Sequence, residues 1–443
     1  MRRAYRALFV LLAPGLLLAG ALAIVVATRP GTEVRLDLGP RPIAMALDTQ
    51  RSRAVIADIE DGTVRVIDTR ARAVVRVVTV GGRPQAVGVD TVTGHAFVVI
   101  QGTGRHSDVV NTLDTESGTV LNSALLGSGT GASAIAVDGQ QRRAFIMNAL
   151  SNTISILDTR RGTVLRTLSM DAATGSGRAM MSRIALDTRT GLAFVLTQST
   201  AGPALTNRER LIMFDGKSGA LARIVAMPLT QGYLTVDEAT ARAFVAAPAF
   251  PSQRGYVAVL DSRSGRLLHT VPVSGDGPVT VDAWTGRAYV VSLNKTTTTA
   301  SVSVLNGRSG ILLRTVAARS TIAQIVVDAH TRRLLTLAMT VDTPSGRPIR
   351  ITTVLLLDGL TGRVLRALPT DAGDSLQGFA VEGTTGRVLL LEGPGVRPAF
   401  DRWTWIRRLL PWLPLPGPPA PENARTGSLL ILAESALHDT VRP

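Results

Sequence analysis

A phrase that recurs eight times constrains the fold of this chain more than any other feature. Each copy is a short apolar run that ends in an acidic residue, followed by a polar turn and a second apolar run, as in VTVDAWTGRAYVV from Val279. The acidic residues recur every 42–54 residues, at Asp48, Asp90, Asp138, Asp187, Asp237, Asp282, Asp328 and Glu382. A regular period of this length is typical of a repeat protein.

A second phrase lies between successive copies of the first. VRVIDTRARAVVRVV from Val64 and VAVLDSRSGRLLHTV from Val257 are two examples. Both phrases consist of two β-rich runs with apolar residues at a period of two, and Asp, Ser and Gly form the turn between the runs. Each unit therefore holds four strands. This pattern predicts an all-β fold, a single β-propeller with four-stranded blades.

The number of units predicts how the ring closes. Eight units can be counted, and the last has no recognisable fourth strand after Ala433. EVRLDLG, from Glu33, precedes the first unit and has the pattern of the missing strand. We therefore predict an eight-bladed ring over residues 33–433 that this N-terminal strand closes, which would leave few strand edges exposed. A seven-bladed ring with one aberrant unit is the main alternative, ahead of a solenoid or two separate domains.

The repeat resembles a known family. The run Val281–Val291, VDAWTGRAYVV, followed by a phrase of the form VxVLDxxxGxVLxTV, is similar to the YVTN-type β-propeller repeat over roughly residues 33–433. The resemblance implies a propeller in an exported or surface-attached protein. The family's asparagine after the aromatic strand is present only at Asn148 and Asn294. Because the consensus consists of core and turn residues, no catalytic residue can be carried over.

Residues 1–30 predict a membrane segment. Arg2, Arg3 and Arg6 precede an uncharged run over residues 7–28, which is long enough to cross a bilayer core of about 30 Å as a helix. This charge asymmetry favours a cytoplasmic N-terminus and an exported body. We expect a single-pass anchor in the cell membrane, with the propeller on the extracytoplasmic side. A cleaved signal peptide is the alternative and would give a secreted protein.

Composition narrows the possible chemistry. The chain has no cysteine, which excludes disulfides, Cys-ligated metals, a thiol nucleophile and CxxCH haem attachment. Its five histidines form no HxH or HExxH motif, and no GxSxG, P-loop or GxGxxG motif is present. We therefore predict no metal, no cofactor and no catalytic residue. The net charge is +15, but an exported body with few aromatic residues makes nucleic acid an unexpected partner.

The repeated acidic residues have a structural explanation. Each one precedes a turn, where a carboxylate can accept hydrogen bonds from the amides of the turn. Calcium binding is the alternative, although no copy has the spacing DxDxDG. We therefore predict that these carboxylates cap turns.

Connection lengths predict a binding face. The turns after the first and third strands of each unit are short, whereas the connections after the second strands vary in length. The variable connections and those between units should emerge together on one face, the long-loop face, and loops on a rigid scaffold commonly carry function. We expect a weakly basic surface there that recognises a protein or an anionic glycan. Its candidate residues are Arg105, His106, Arg208, Arg210, Arg254, Lys295, Arg347 and Arg350.

The opposite, short-turn face should lie nearer the membrane. Strand direction places Glu33, and hence the end of the anchor, on this face. Arginines at its turns would favour anionic lipid. These arginines are Arg53, Arg143, Arg161, Arg287, Arg333, Arg363 and Arg387.

One segment, residues 393–426, interrupts the last unit. It is rich in proline and contains three of the chain's four tryptophans, Trp403, Trp405 and Trp412. We interpret it as a lid on the disc or a partner-docking element, with membrane contact as the alternative. Residues 434–443 form a C-terminal tail beyond the repeats.

These features together predict a membrane-anchored extracytoplasmic propeller that acts as a binding or scaffold module. A propeller enzyme of the lactonase or lyase kind is an alternative, and it would need at least three polar side chains that converge in one cavity on the long-loop face. A supporting subunit of an extracytoplasmic redox complex is another alternative, and it would need a partner that carries the cofactor.

Overall fold

The strands of the chain form eight four-stranded antiparallel sheets. The computed structural model describes residues 33–102, 106–171, 179–199, 209–227, 232–248, 255–273, 277–294, 299–318, 321–328, 331, 333–342, 349–361, 363–369, 376–397, 422–424 and 426–433. Within these residues, none of the helices is both long enough and apolar enough to span a membrane.

The first strand and the first four blades follow one another along the chain. The first strand is β1 (Glu33–Asp37). Blade 1 is β2 (Pro42–Asp48), β3 (Arg53–Asp58), β4 (Thr63–Asp68) and β5 (Ala73–Thr79). Blade 2 is β6 (Arg83–Asp90), β7 (His95–Gln101), β8 (Ser107–Asp114) and β9 (Val120–Ser128). Blade 3 is β10 (Ala132–Asp138), β11 (Arg143–Asn148), β12 (Thr153–Asp158) and β13 (Thr163–Ser169). Blade 4 is β14 (Ala179–Asp187), β15 (Leu192–Ser199), β16 (Glu209–Asp215) and β17 (Leu221–Met227).

The remaining strands complete the set. Blade 5 is β18 (Tyr233–Asp237), β19 (Arg242–Pro248), β20 (Gly255–Asp261) and β21 (Leu267–Val273). Blade 6 is β22 (Val279–Asp282), β23 (Arg287–Asn294), β24 (Thr299–Asn306) and β25 (Leu312–Ala318). Blade 7 is β26 (Thr321–Asp328), β27 (Arg333–Asp342), β28 (Ile349–Asp358) and β29 (Val364–Pro369). The last strands are β30 (Leu376–Glu382), β31 (Arg387–Glu392), β32 (Gly395–Arg397), β33 (Glu422–Ala424) and β34 (Ser428–Leu432).

The ring closes through its N-terminal strand. Blade 8 has the order β30-β31-β34-β1, and β1 pairs antiparallel with β34 from Glu33↔Leu432 to Asp37↔Ser428. Each innermost strand contacts the innermost strand of the next blade, and β30 contacts β2. The prediction of eight blades closed by residues near Val34 is therefore confirmed, and the seven-bladed alternative is wrong. The fold implied by the YVTN resemblance is present, while the repeat type itself remains a resemblance.

A hydrophobic cluster lies at each of the eight junctions between blades. At the first junction, Val55 and Val64 of blade 1 pack with Val98 and Leu113 of blade 2. At the last junction, residues of blade 8 such as Ile431 pack against blade 1. Burial of one such side chain stabilises a fold by about 1.5–3 kcal/mol. Because each cluster needs two blades, a single blade cannot bury both of its faces alone.

Carboxylates cap the short turns, as predicted. Asp90 Oδ1 accepts hydrogen bonds from the amides of Val92 (2.9 Å) and Thr93 (3.3 Å). The turn closes with Gly94 at φ 75°, whose amide donates to the carbonyl of Asp90 at 2.8 Å. A left-handed φ of this kind favours glycine, so both the acid and the glycine of the repeated phrase are explained by turn geometry.

The same carboxylates also join neighbouring blades. The Thr115 hydroxyl of blade 2 donates to Asp48 Oδ2 of blade 1 at 2.8 Å. Ser262 of blade 5 donates to Asp187 of blade 4 at 2.9 Å, and Thr69 of blade 1 donates to Glu382 of blade 8 at 2.8 Å. The last of these hydrogen bonds crosses the closure of the ring.

Arginines of the outermost strands make a second set of contacts between blades. Arg76 Nε of blade 1 donates to the carbonyl of Ser117 in blade 2 at 3.2 Å, and Arg223 of blade 4 donates to that of Ser264 in blade 5 at 2.8 Å. Arg166 makes the equivalent contact with the carbonyl of Ser218. Part of the basic composition therefore serves to hold one blade to the next.

Candidate functional site

The topology places the connections on the two predicted faces. In every blade the first and third strands end at the short-turn face, whereas the second and fourth strands end at the long-loop face. Glu33 lies at the short-turn end of β1, because it pairs with Leu432 at the end of β34. The N-terminal segment therefore joins the disc at the short-turn face.

The predicted long-loop residues are spread around the ring. His106 is exposed just before β8 of blade 2, and Arg210 is half-buried in β16 of blade 4. Arg350 lies in β28 of blade 7, opposite Val341. At least one blade separates any two of these three positions, so the structure does not bring them together. The other candidates lie outside the described residues: Arg105, Arg208, Arg254, Lys295, Arg347, Trp403, Trp405 and Trp412.

A cavity of about 370 Å³ lies in the central channel, between the innermost strands of blades 1, 2, 3, 7 and 8. Cavities of this volume can take a small ligand. Its polar lining consists of Gln85, Ser133, Gln324 and Gln377. Apolar side chains such as Met45, Val87, Ile135 and Phe379 complete the wall.

β-Bulges direct polar side chains into this cavity. The pairing of the first strand shifts register next to Gln85 in blade 2, Ser133 in blade 3 and Gln377 in blade 8. Each of these residues lies five positions before the acidic residue of its strand, at the long-loop end. A bulge re-aims the side chain of the extra residue and is common next to functional sites. The cavity is therefore at the mouth of the channel on the long-loop face, which we call the channel mouth.

An arginine of blade 4 lies at the wall of the channel next to this cavity. In five blades, the residue four positions before the acidic residue of the innermost strand lines the cavity. These residues are Ala44, Ala86, Ala134, Gln324 and Gly378. The same position in blade 4 is Arg183, and in blade 5 it is Tyr233. The exposed Arg183 guanidinium lies 5.1 Å from the centroid of the Tyr233 ring, within the range of a cation–π interaction. No described acidic residue forms an ion pair with Arg183.

A buried carboxylate fixes the backbone of the long-loop face beside blade 3. Asp108 Oδ2 accepts hydrogen bonds from the Thr130 hydroxyl (2.6 Å) and from the amides of Gly131 (2.8 Å) and Ala132 (3.2 Å), while Oδ1 accepts one from Gly102 (2.9 Å). Burial alone would raise the pKa of Asp108, but these hydrogen bonds together hold it below its ordinary value. The connection that leads into β10, and so to Ser133, is therefore held in one conformation.

The described lining of the channel mouth supplies hydrogen-bonding groups. Its lining contains several convergent polar side chains, which meets the geometric requirement stated for an enzyme. These groups are amides and a hydroxyl, and the lining residues include no histidine or carboxylate to act as a general acid or base. Among the described residues, no three His, Asp or Glu side chains are grouped as a metal site. The amides can donate and accept hydrogen bonds with a polar ligand.

Four of the short-turn arginines predicted to face lipid form ion pairs or hydrogen bonds within the disc. Arg53 pairs with Asp68 (2.5 Å), Arg143 with Asp158 (3.8 Å) and Arg387 with Glu382 (3.2 Å). Arg287 donates to the carbonyl of Leu360 in the next blade. These four side chains therefore stabilise the disc.

A different set of cations points into solvent on this face. Each lies two residues after the acid or amide that ends a third strand, and each is exposed. This cation ring consists of Arg70, Arg160, Lys217, Arg263 and Arg308. None of the five forms an ion pair within the described part of the chain. Aligning the second phrase would have revealed the ring, because these cations share one position in it.

Comparison with known proteins supports the fold alone. No family model matches the chain, and no curated protein matches it. Among solved structures, the Dos1 propeller is similar with a TM-score of 0.58 and 11% identity, over 82% of this chain and 93% of that one. Hydrazine synthase of Kuenenia stuttgartiensis is similar with a TM-score of 0.50 and 13% identity, over 77% of this chain and 98% of that one. At these identities the likeness shows that the chain is a β-propeller.

Proposed function

We propose that this protein is a binding module that a membrane segment holds on the extracytoplasmic side, and that it takes an anionic glycan at the channel mouth. The proposal combines three parts: a tether at residues 1–30, a rigid disc, and a recognition site on the long-loop face. One observation carries the recognition part, namely the unpaired Arg183 stacked on Tyr233 next to a cavity lined with glutamines.

The lining favours a glycan over a protein. Gln85, Gln324 and Gln377 each offer a donor and an acceptor, which suits the paired hydroxyl groups of a sugar. Gln85 Nε2 donates to Gln101 Oε1 at 3.1 Å, so its own carbonyl oxygen is left to face a ligand. Arg183 supplies the charge for a carboxylate, and its guanidinium can bind that group through two parallel hydrogen bonds. The ligand class that fits these groups is a uronate-bearing oligosaccharide.

Calorimetry of the full chain in detergent, with neutral and uronate-bearing oligosaccharides, tests this proposal. We expect only the uronate-bearing ligands to bind, and Arg183→Glu to weaken binding by at least about tenfold because attraction becomes repulsion. Arg70→Glu, on the opposite face, is the matched control and should leave binding unchanged. Equal loss in both variants would contradict a specific site.

The alternative partner, a protein, predicts a different outcome. In that case no oligosaccharide would bind. Charge reversal at Arg208 and Arg210 would instead weaken association with a captured protein, while Arg183→Glu would not. This pattern would move the recognition surface from the channel mouth to the surrounding loops.

A further inference from the structure

We infer that the short-turn face is a docking surface for an anionic lipid bilayer, with the cation ring as its contact. The inference deepens the proposed function, since it rests on the membrane tether and names the lipid chemistry that the disc would meet. It does not depend on the ligand of the channel mouth.

The ring is a product of the blade geometry. At the turn after each third strand, an acid or amide accepts a hydrogen bond from the backbone amide two residues later, for example Arg70 N to Asp68 Oδ1 at 2.8 Å and Lys217 N to Asp215 Oδ1 at 3.1 Å. The backbone is therefore held in the same way in each blade, and the side chain at this position projects from the turn. Five of the seven described turns of this kind carry a cation there. The cations thus lie at the same end of blades 1, 3, 4, 5 and 6, on one face of the disc, which suits an extended anionic surface.

Ion pairing separates this ring from three of the other arginines of the face. Arg53, Arg143 and Arg387 each have a carboxylate within 4.0 Å, whereas the ring cations have none among the described residues. A side chain that only supported the fold would be expected to use the acidic residues nearby. The ring cations therefore add to the other exposed basic residues of this face that form no ion pair among the described residues, such as Arg142, Arg161 and Arg189.

Apolar side chains on the same face could enter the lipid headgroup layer. Trp284, in the turn after the first strand of blade 6, is 69% exposed, and Val92, at the same position in blade 2, is 59% exposed. Tryptophan prefers the membrane–water interface, where its ring is partly apolar and its N–H is wet. An exposed tryptophan on the same face as the cation ring fits a lipid surface better than bulk water.

The chain also enters the disc from this side. The uncharged run of residues 7–28 ends shortly before Glu33, which lies at the short-turn end of β1. The five residue steps from Thr28 to Glu33 span at most about 18 Å when extended. A run embedded in a bilayer would therefore keep this face close to the headgroups, where each nearby cation strengthens attachment to anionic lipid severalfold.

The test uses the full chain in nanodiscs, and the absence of native cysteine permits single labels. An environment-sensitive fluorophore is placed at Glu116→Cys, the ring position of blade 2, or at Leu150→Cys on the long-loop face, where Leu150 is 79% exposed. Spin-labelled lipid is the quencher. We expect at least about a twofold rise in quenching at position 116 when phosphatidylglycerol is added to phosphatidylcholine, and no change at position 150. Salt should reverse the rise, because it screens exposed charges.

Charge reversal completes the test. Replacing the five ring cations by Glu should abolish the rise, and blade 2 already carries Glu116 at this position, so the turn tolerates this residue. Arg→Lys at Arg70, Arg160, Arg263 and Arg308 keeps the charge and should keep the rise. Circular dichroism checks that both variants remain folded.

Three outcomes would overturn the inference. If the chain stays in the discs but position 116 is quenched equally with and without anionic lipid, the tether stands and the docking is wrong. If the ring instead binds soluble heparin with no response to lipid, the partner is an acidic polymer. If neither kind of disc retains the chain, both the tether and the docking are contradicted.

Discussion

The two faces of the disc are held by different means. On the short-turn face, one arrangement recurs from blade to blade: a carboxylate accepts the amides of its own turn and, at Asp48, Asp187 and Glu382, also a hydroxyl of the next blade. On the long-loop face, the buried carboxylates Asp108 and Glu392 accept hydrogen bonds from partners that differ from one blade to the other. Repeated contacts can be altered one at a time with small effects, whereas each unique tie holds a part of the ring that nothing else replaces.

Removal of the Arg35–Glu392 ion pair at the ring closure should have the largest effect on stability. Glu392 is almost fully buried; Ser428 donates to its Oε2 at 2.7 Å, and the Arg35 guanidinium pairs with it. Arg35→Ala removes the guanidinium that pairs with this carboxylate, which we expect to lower the free energy of unfolding by about 3 kcal/mol. Urea denaturation measures the change. Glu392→Gln with Arg35→Ala should recover part of the loss, and no recovery would show that the charge is unimportant.

Asp108 should be more sensitive than a repeated cap. Asp108→Ala leaves three backbone amides and the Thr130 hydroxyl without their acceptor, so we expect a loss of about 2 kcal/mol. Asp215→Ala removes a cap on an exposed turn and should cost about 1 kcal/mol. The two variants are compared by the urea midpoint. Equal losses would contradict the distinction between the faces.

Two equivalent hydroxyl groups, one with a hydrogen-bond partner and one without, test the repeated hydrogen bonds between blades. Thr115 donates to Asp48 Oδ2, whereas the Thr159 hydroxyl and Asp90 Oδ2, the equivalent atoms one blade on, have no partner in the described part of the chain. Thr115→Val should lower stability by about 1 kcal/mol. Thr159→Val should change it little. Thermal unfolding distinguishes the two, and a larger effect at Thr159 would show that the unpartnered pair is wrongly described.

The smallest effects should appear in the pH dependence of stability. Burial raises the pKa of Asp138 above its ordinary 3.8, and the charges of Glu238 and Asp90 add to this, while the amides of Gln141 and Gln140 oppose it. At Asp114, burial is outweighed by hydrogen bonds from Ser117 and Glu116, which lower the pKa. A carboxyl group whose pKa is raised in the folded state contributes stability only at low pH. A carboxyl group whose pKa is lowered contributes stability above its unfolded-state pKa, and this contribution is lost on acidification.

The two carboxylates therefore predict opposite signs. At neutral pH, Asp138→Asn should leave the protein equally or more stable, and this advantage should disappear towards pH 3.8. Asp114→Asn should destabilise at neutral pH, with a cost that shrinks as the pH falls below 3.8. Urea midpoints measured from neutral to acid pH provide the test. The same sign for both variants would contradict the assignment.

The sequence predicts the repeated features well and the unique ones poorly. The acid before each turn, the four strands per unit and the closing strand at Glu33 all follow from patterns that recur, and all are present. The Arg35–Glu392 pair joins residues at opposite ends of the chain, so no local pattern indicates it. The glutamines of the channel mouth come from three blades and meet only because the ring closes. The predicted loop residues His106 and Arg210 share a face but no site.

The closure of the ring by β1 is the claim on which the orientation of both faces depends. A pair of introduced cysteines tests it, since Val34 lies directly opposite Ile431 and opposed residues of antiparallel strands are close enough for a disulfide. We expect Val34→Cys with Ile431→Cys to form the bond under mild oxidation, detected by mass spectrometry of the linked peptides. Val34→Cys with Leu430→Cys places the thiols on opposite faces of the sheet and should not. Equal linkage in both pairs, or none in the first, would contradict the closed ring.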